Sequence, residues 1–143
     1  MKAIILTVIL VLIALGVLFA LLLLLLFIIA RVSKHYQCLD VYEFEKQLII
    51  TRERQLIDVC TPREFEKYHI RGAKNIDFRS SDFRKEIENL NRTIPVFIYC
   101  LSGVRSKLSA YQFKKAGFKT IYELNMGLRA WLKAGRPVTT GSN

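Results

Sequence analysis

The first 30 residues form one long apolar run. Within residues 3–30, only Thr7 and Gly16 fall outside the apolar set. At a rise of 1.5 Å per residue this run makes a helix of about 42 Å, whereas the hydrocarbon core of a bilayer needs about 20 residues. We therefore predict a transmembrane anchor. The alternative is a cleaved signal peptide, which has an apolar core of about 7–15 residues and a small-x-small cleavage site that residues 28–33 match poorly.

Beyond the anchor, short apolar runs alternate with segments of helical periodicity. Strands are predicted over residues 55–59, 73–78, 95–99 and 120–124, with a short and weaker candidate at 38–41. Helices are predicted over residues 41–49, 61–69, 80–90, 104–116 and 127–134. Strands that alternate with helices through short connections form a mostly parallel sheet with helices on both faces. Functional sites of such sheets lie beyond the carboxyl ends of the strands.

Capping residues mark the start of three predicted helices. Thr61 is followed three residues later by Glu64, which is the pattern of a capping box. Asp40 is a second N-cap, and either Ser80 or Ser81 is a third. The helix after Asp40 is expected to place four apolar side chains on one face: Val41, Phe44, Leu48 and Ile49.

The charge of the chain excludes one class of partner. The formal net charge is +10, and 21 of the 22 basic residues lie after residue 30. These residues are scattered and form no basic stripe with interleaved aromatic side chains, so we expect no nucleic-acid partner. A basic domain tethered to a membrane is attracted to anionic headgroups, so the lipid bilayer is an expected partner.

The flanks of the apolar run predict its orientation. Lys2 and the amino terminus precede the run, whereas Arg31, Lys34 and Lys46 follow it. Because cytoplasmic flanks carry the excess of Lys and Arg, we expect a single-pass membrane protein with its C-terminal domain in the cytoplasm. The predicted organisation is an anchor over 1–30, a juxtamembrane linker over 31–37, a folded domain over 38–140 and a tail over 141–143.

Three cysteines are present, Cys38, Cys60 and Cys100. Their spacing contains no CxxC pair, which excludes a zinc knuckle or a thioredoxin-type motif at the level of sequence, and no metal site is predicted. An odd number of cysteines in such a domain points to a single reactive thiol.

Cys100 lies where that reactivity is expected. It ends the clearest predicted strand, and a short turn with Gly103 leads at once into a helix. The turn and the first helical residues direct backbone N–H groups into one concavity, where the helix dipole adds partial positive charge. Arg105 adds a full positive charge, so the site favours an anion such as the thiolate of Cys100.

Four segments together resemble the rhodanese domain, the sulfurtransferase family. They are Leu56-Ile57-Asp58-Val59, His69-Ile70-Arg71-Gly72-Ala73-Lys74-Asn75-Ile76, Cys100-Leu101-Ser102-Gly103-Val104-Arg105, and Ala130-Trp131-Leu132-Lys133-Ala134-Gly135-Arg136-Pro137-Val138. The resemblance implies an α/β fold with a parallel five-stranded sheet and helices on both faces. It also implies that residues 100–105 form the active loop that binds the persulfide, supported by Asp58 and Ser106.

The family chemistry implied by this resemblance is sulfur transfer. Cys100 would attack the outer sulfur of thiosulfate, a polysulfide or a persulfide and carry it to cyanide, a thiol or a protein acceptor, without a cofactor. Four residues separate Cys100 from Arg105. Cysteine phosphatases use five, and a loop that is one residue shorter suits a single sulfur atom better than a phosphate.

Two positions depart from the family pattern and leave alternatives open. Leu101 stands where the family often has Arg or Gln, so a hydrophobic or protein-bound donor is favoured over thiosulfate. Cys60 stands where the family usually has Arg. It is either a small apolar replacement or a resolving thiol that forms a disulfide with Cys100 in a redox enzyme. A non-catalytic, protein-binding module is the third alternative, although the presence of Cys100 and Arg105 argues for activity.

Overall fold

The computed structural model of the chain describes residues 1–32 and 36–141. The chain divides into two compact units, Met1–Lys34 and His35–Asn143. The first unit contains one helix, α1 (Lys2–Val32), whose segment Lys2–Ile28 has a mean hydropathy of 3.4. By length and composition this helix can cross a membrane. Lys34, which entered the prediction of orientation, lies outside the described residues.

The second unit is a five-stranded parallel sheet with five helices, which confirms the predicted fold class. The strands are β1 (Tyr36–Leu39), β2 (Gln55–Asp58), β3 (Lys74–Asn75), β4 (Val96–Tyr99) and β5 (Ile121–Leu124), in the order β1-β5-β4-β2-β3. The helices are α2 (Val41–Ile50), α3 (Pro62–Lys67), α4 (Phe83–Glu88), α5 (Val104–Lys115) and α6 (Gly127–Lys133). The weak strand candidate near residue 38 is thus a real edge strand that begins at Tyr36, inside the predicted linker.

Two apolar cores lie on opposite faces of the sheet. Alternate residues of β4 point to opposite sides, so Ile98 packs with α4 and α5, whereas Phe97 packs with α2, α3 and α6. Both faces are therefore covered, which explains why all four residues of β4 are buried. Its carboxyl end, where Cys100 follows, lies between two layers of helices.

The third strand is shorter than predicted. Residues 73–78 were expected to be extended, but only Lys74 and Asn75 form a regular strand. The side-chain amide of Asn75 donates to the carbonyl oxygens of Asp58 and Cys60 at 3.0 and 2.8 Å. The backbone N–H of Ile76 also donates to the carbonyl oxygen of Asp58 at 2.9 Å, so the chain stays beside β2 just beyond the regular part of β3.

Two expectations about helices are wrong. Helix α4 begins at Phe83 after Asp82, not after Ser80 or Ser81, because Ser80 is used in a turn in which its hydroxyl accepts from the N–H of Asp82 at 3.1 Å. Ile49 is 70% exposed although it was placed on the buried face of α2. Phe44 is the buried anchor of α2, and a residue five positions later lies about 140° around the helix.

The start of α6 packs against the backbone that follows β4. The N–H groups of Leu128 and Arg129 donate to the carbonyl oxygens of Cys100 and Leu101 at 2.8 and 3.0 Å. Gly127 has a φ of +59°, and a Cβ at this position would collide with the carbonyl oxygen of Cys100. Only glycine therefore permits this close approach.

We expect Gly127→Ala to destabilise the domain more than Gly135→Ala. Gly135 also has a positive φ, +67°, but open space surrounds it, so its substitution adds only left-handed backbone strain of about 1–2 kcal/mol. At Gly127 the collision with backbone adds roughly 1–3 kcal/mol more. Urea unfolding of the full chain in nonionic detergent, followed by fluorescence of its single, buried tryptophan Trp131, measures both losses. Equal losses would contradict the packing argument.

Candidate active site

The site lies at the carboxyl ends of β2 and β4, which are neighbours in the sheet. Cys100 follows β4 directly and Cys60 lies two residues beyond β2. Both side chains are buried, belong to the same core and are free thiols. Residues 100–105, the Cys100 loop, connect β4 to α5.

The Cys100 loop wraps closely around the sulfur. The backbone N–H of Gly103 donates to Sγ of Cys100 at 3.1 Å, and Gly103 can do so because its φ is +87°. The hydroxyl of Ser106, in the first turn of α5, lies 3.7 Å from Sγ. The sulfur has no exposed surface and is held between a backbone donor and a hydroxyl group.

Arg105 is turned toward α3 and forms a two-pronged ion pair with Glu64. Its Nη1 and Nη2 atoms lie 2.6 and 2.7 Å from the two carboxylate oxygens of Glu64. Nη2 also lies 3.7 Å from Sγ of Cys60. The positive charge that the sequence placed beside Cys100 is therefore shared with a carboxylate, which fixes the guanidinium group in one orientation.

Glu64 both caps α3, as the sequence predicts, and binds Arg105, which the sequence does not indicate. Its side chain accepts from the N–H and hydroxyl of Thr61 at 3.0 and 2.8 Å, so the predicted capping box is present. The same carboxylate binds Arg105, whose hydrogen bonds lower the pKa of Glu64 to about 2. The N-terminus of α3 thus positions the cation of the Cys100 loop.

Cys60 lies beside a buried carboxyl group. The Oδ1 atom of Asp58 accepts from the backbone N–H of Cys60 at 2.8 Å, and Oδ2 is buried without a hydrogen-bond partner among the described residues. Burial raises the pKa of Asp58. Burial, followed by the charge of Asp58, raises the pKa of the Cys60 thiol as well. Cys60 is therefore a protonated thiol at neutral pH, and a resolving role for it stays a prediction.

The remaining residues of the loop face different surroundings. Leu101 is half-buried and packs against both cores, whereas Val104 is 63% exposed. Ser102 is half-buried. The roles of these three side chains in binding stay predictions. Within the described residues, no cluster of three or more His, Cys, Asp or Glu side chains could hold a metal ion.

Sequence reasoning missed two residues around this site. Glu123 is buried in β5 and accepts from the Ser106 hydroxyl at 2.8 Å. Tyr99 is buried and its hydroxyl accepts from the N–H of Ile70 at 2.9 Å, which holds the chain after α3. An acidic residue inside an apolar predicted strand was a usable signal for Glu123. Ile70, which donates to the hydroxyl of Tyr99, lies 29 residues away in the chain, and no local pattern indicates this contact.

The fold and this arrangement of residues define the class of protein. The chain belongs to the rhodanese-like domain family, whose profile matches residues 41–134. That match contains the Cys100 loop and the residues that surround it, apart from β1.

Relatives of known sequence include sulfur-transfer proteins. The chain is 40% identical over 80 residues to the uncharacterised protein YqhL of Bacillus subtilis, covering 56% of this chain and 62% of YqhL. It is 32% identical over 88 residues to the putative sulfur carrier protein YrkF of the same organism, covering 62% of this chain and 46% of YrkF. The chain therefore spans less than two thirds of these two relatives. It is also 28% identical over 93 residues to the thiosulfate sulfurtransferase GlpE of Coxiella burnetii, covering 65% of this chain and 84% of GlpE.

Solved structures agree on the fold. A rhodanese-related protein from Thermoplasma volcanium superposes with a TM-score of 0.64 at 22% identity, covering 73% of this chain and 98% of that chain. A rhodanese-like domain protein from Staphylococcus aureus gives a TM-score of 0.62 at 22% identity, with 76% and 99% covered. These likenesses establish the architecture of the second unit.

The Glu64–Arg105 pair predicts how stability depends on pH. The pKa of Glu64 is about 2 in the folded chain against an ordinary value of 4.5, so the unfolded chain binds this proton first as the pH falls. The pair therefore stabilises the fold above about pH 4.5, and that stabilisation is lost between about 4.5 and about 2. Urea unfolding across this range should show a smaller pH dependence for Glu64→Gln than for the unsubstituted chain. Parallel curves for the two chains would contradict the assignment.

Proposed function

We propose that this chain is a sulfurtransferase that carries sulfane sulfur as a persulfide on Cys100. The observation that carries the proposal is the position of Sγ, 3.1 Å from the N–H of Gly103 at the end of β4. An N–H group fixed in this position stabilises negative charge on the sulfur by hydrogen bonding. The names of two relatives, a thiosulfate sulfurtransferase and a putative sulfur carrier protein, support the same chemistry.

Loading of Cys100 is a displacement at sulfur. The thiolate attacks the outer sulfur of the donor and a new S–S bond forms at Cys100. The old bond to that outer sulfur breaks, and the leaving group, sulfite from thiosulfate or a shorter polysulfide chain from a polysulfide, takes the bonding electron pair. No external oxidant is needed, because the transferred sulfur is already at the required oxidation level.

Unloading is the same displacement in the opposite sense. A thiolate or cyanide attacks the outer sulfur of the persulfide, and the thiolate of Cys100 is the leaving group. Gly103 stabilises the charge that returns to Sγ, since its N–H already points there. The site is therefore restored without any group besides the donor and the acceptor.

The surroundings of Cys100 favour persulfide or polysulfide donors over thiosulfate. Arg105, the cation of the loop, is already paired with Glu64. Leu101 supplies no polar group and packs against the cores. A sulfonate group would therefore find little compensation for its lost hydration, whereas a persulfide or polysulfide carries no sulfonate group and presents only sulfur atoms to the loop.

We expect the full chain in nonionic detergent to gain the mass of one sulfur atom when it is reduced and incubated with inorganic polysulfide. The added sulfur should map to Cys100, with a smaller yield from thiosulfate. Intact mass and peptide mapping measure both. Cys38→Ser, which changes an exposed thiol, is the matched control and should load fully, whereas Cys100→Ser should not load.

A folded chain that gains no sulfur from either donor would contradict the proposal. The remaining alternative would then be a non-catalytic, protein-binding module. The same peptide maps, made after mild oxidation, show whether a Cys60–Cys100 disulfide forms. Its absence would remove the resolving role of Cys60.

We further propose that α1 anchors the chain in a membrane with the second unit in the cytoplasm. The support is the length and hydropathy of Lys2–Ile28 and the basic residues that follow it. The chain should stay in the pellet after carbonate extraction of bacterial membranes, whereas a variant without residues 2–28 should be released. A chain whose intact mass shows that its N-terminal segment has been removed would instead identify a signal peptide.

Cys38 reports the side of the membrane because it is an exposed thiol. A membrane-impermeant maleimide should label it only after the cells are permeabilised, with Cys38→Ser as the control. Labelling of intact cells would reverse the proposed orientation.

A further inference from the structure

A buried carboxylate lies in β5, the strand that pairs with β4, on the side of Cys100. Glu123 interrupts the apolar strand β5 and has no exposed surface. Its Oε1 atom accepts from the Ser106 hydroxyl at 2.8 Å, and its Oε2 atom accepts from the Tyr36 hydroxyl at 2.6 Å. Burial of an acidic group is costly, so the presence of Glu123 at this position points to a use.

One hydroxyl group joins this carboxylate to the sulfur. The Oγ atom of Ser106 lies 3.7 Å from Sγ of Cys100 and 2.8 Å from Oε1 of Glu123. The hydroxyl has two acceptors within reach, Oε1 of Glu123 and, farther away, the carbonyl oxygen of Gly103 at 3.1 Å. When it donates to the nearer one, it can accept a proton from the sulfur on the other side. The three groups therefore form a continuous path from thiol to carboxylate in which every step is a hydrogen bond.

We propose that Glu123 takes up the proton of the Cys100 thiol through Ser106, which makes Glu123 a positioning residue for the nucleophile. This inference rests on the proposed sulfur transfer. The proton of Sγ moves to Oγ of Ser106 while the proton of Oγ moves to Oε1 of Glu123. The electron pair of the S–H bond stays on sulfur, Ser106 is unchanged, and the products are a thiolate and a neutral carboxylic acid.

Charge balance favours this transfer over release of the proton to solvent. A thiolate and a carboxylate in the same water-excluded site would repel each other strongly. When the carboxylate receives the proton, the site holds one negative charge before and after. The negative charge moves from Glu123 to the sulfur, where the hydrogen bond from the N–H of Gly103 stabilises it.

The other titratable groups near this path keep one charge state around neutral pH. Burial and the bond to Glu123 raise the pKa of Tyr36, so its phenol stays protonated. Arg105 stays charged, because its hydrogen bonds to Glu64 raise its pKa. The pKa of Cys60 is raised by burial.

Two further groups face the path from neighbouring elements. Cys38 on β1 is paired in register with Glu123, and Lys107 on α5 lies close enough to lower the pKa of Cys38, although burial raises it more. Because Cys38 can titrate near Glu123, it is replaced by alanine in every chain of the test. On the loop side, Asp58 contacts Cys60, and its partners are unchanged in all variants.

Ultraviolet absorbance of the thiolate, taken as the difference between each full chain in detergent and its Cys100→Ser counterpart, measures the ionised fraction of Cys100. If Cys100 and Glu123 share one proton, the thiolate fraction rises with pH in two steps. Between the steps lies a plateau on which this fraction changes less than about twofold per pH unit. In Glu123→Gln we expect one step only, with the usual change of about tenfold per pH unit below it. Glu88→Gln, the same substitution at an exposed site, should keep both steps.

A single step in the chain that carries Cys38→Ala alone, or two steps when Glu123→Gln is added to it, would overturn the proposal. Tyr36→Phe gives a second test that keeps the carboxylate in place. Removal of its hydrogen bond makes Glu123 a stronger proton acceptor, so the plateau should rise several-fold. A plateau that falls or stays unchanged would equally refute the transfer.

The sulfur-loading experiment separates this inference from the proposed function. A chain that gains sulfur on Cys100 but shows a single step refutes only the role of Glu123. A chain that shows two steps but gains no sulfur refutes only the sulfurtransferase. Fluorescence of Trp131 checks that each variant is folded.

Discussion

The backbone of Gly127 packs directly against the carbonyl group of Cys100, and the geometry of the candidate site depends on that contact. The first turn of α6 donates two N–H groups to the carbonyl oxygens of Cys100 and Leu101. In the loop held by these bonds, the N–H of Gly103 points at the sulfur of Cys100. A side chain at residue 127 would push the loop away, so a small residue 27 positions downstream of Cys100 controls the position of the Cys100 loop.

Three acidic side chains around this loop are fixed by hydrogen bonds: Asp58, Glu64 and Glu123. Arg105 binds Glu64, and Glu64 also caps α3, so the orientation of a helix and the position of a cation are set by one carboxylate. Asp58 is buried next to the protonated thiol of Cys60. Glu123 is buried behind the sulfur with two hydroxyl donors. The sulfur thus lies between a paired cation and a hydrogen-bonded carboxylate, an arrangement suited to moving one negative charge over a short distance.

Much of the fold could be predicted, because its elements are marked by local patterns. The apolar run of β4 and the capping box of Thr61 and Glu64 act within a few residues, and both are present as expected. Predictions were wrong where a side chain competes with the backbone or where a neighbour decides burial. The hydroxyl of Ser80 accepts from the N–H of Asp82 in a turn, and α4 begins only at Phe83. Ile49 is exposed because it lies about 140° around α2 from the buried Phe44, whereas Val41 and Leu48 pack on the core side.

The sequence by itself determined the parallel α/β class, the family, the apolar helix and the candidate nucleophile. Each of these depends on residues close together in the chain: a strand, a turn with glycine and a helix start around Cys100. Only the tertiary structure decided which carboxylates lie around that candidate nucleophile and its cation. Glu64 meets Arg105 across 41 residues, Glu123 meets Ser106 across 17, and Tyr36 meets Glu123 across 87. These contacts are set by the order of strands in the sheet, which brings β1, β5, β4 and β2 side by side, and local hydrophobic patterns do not encode that order.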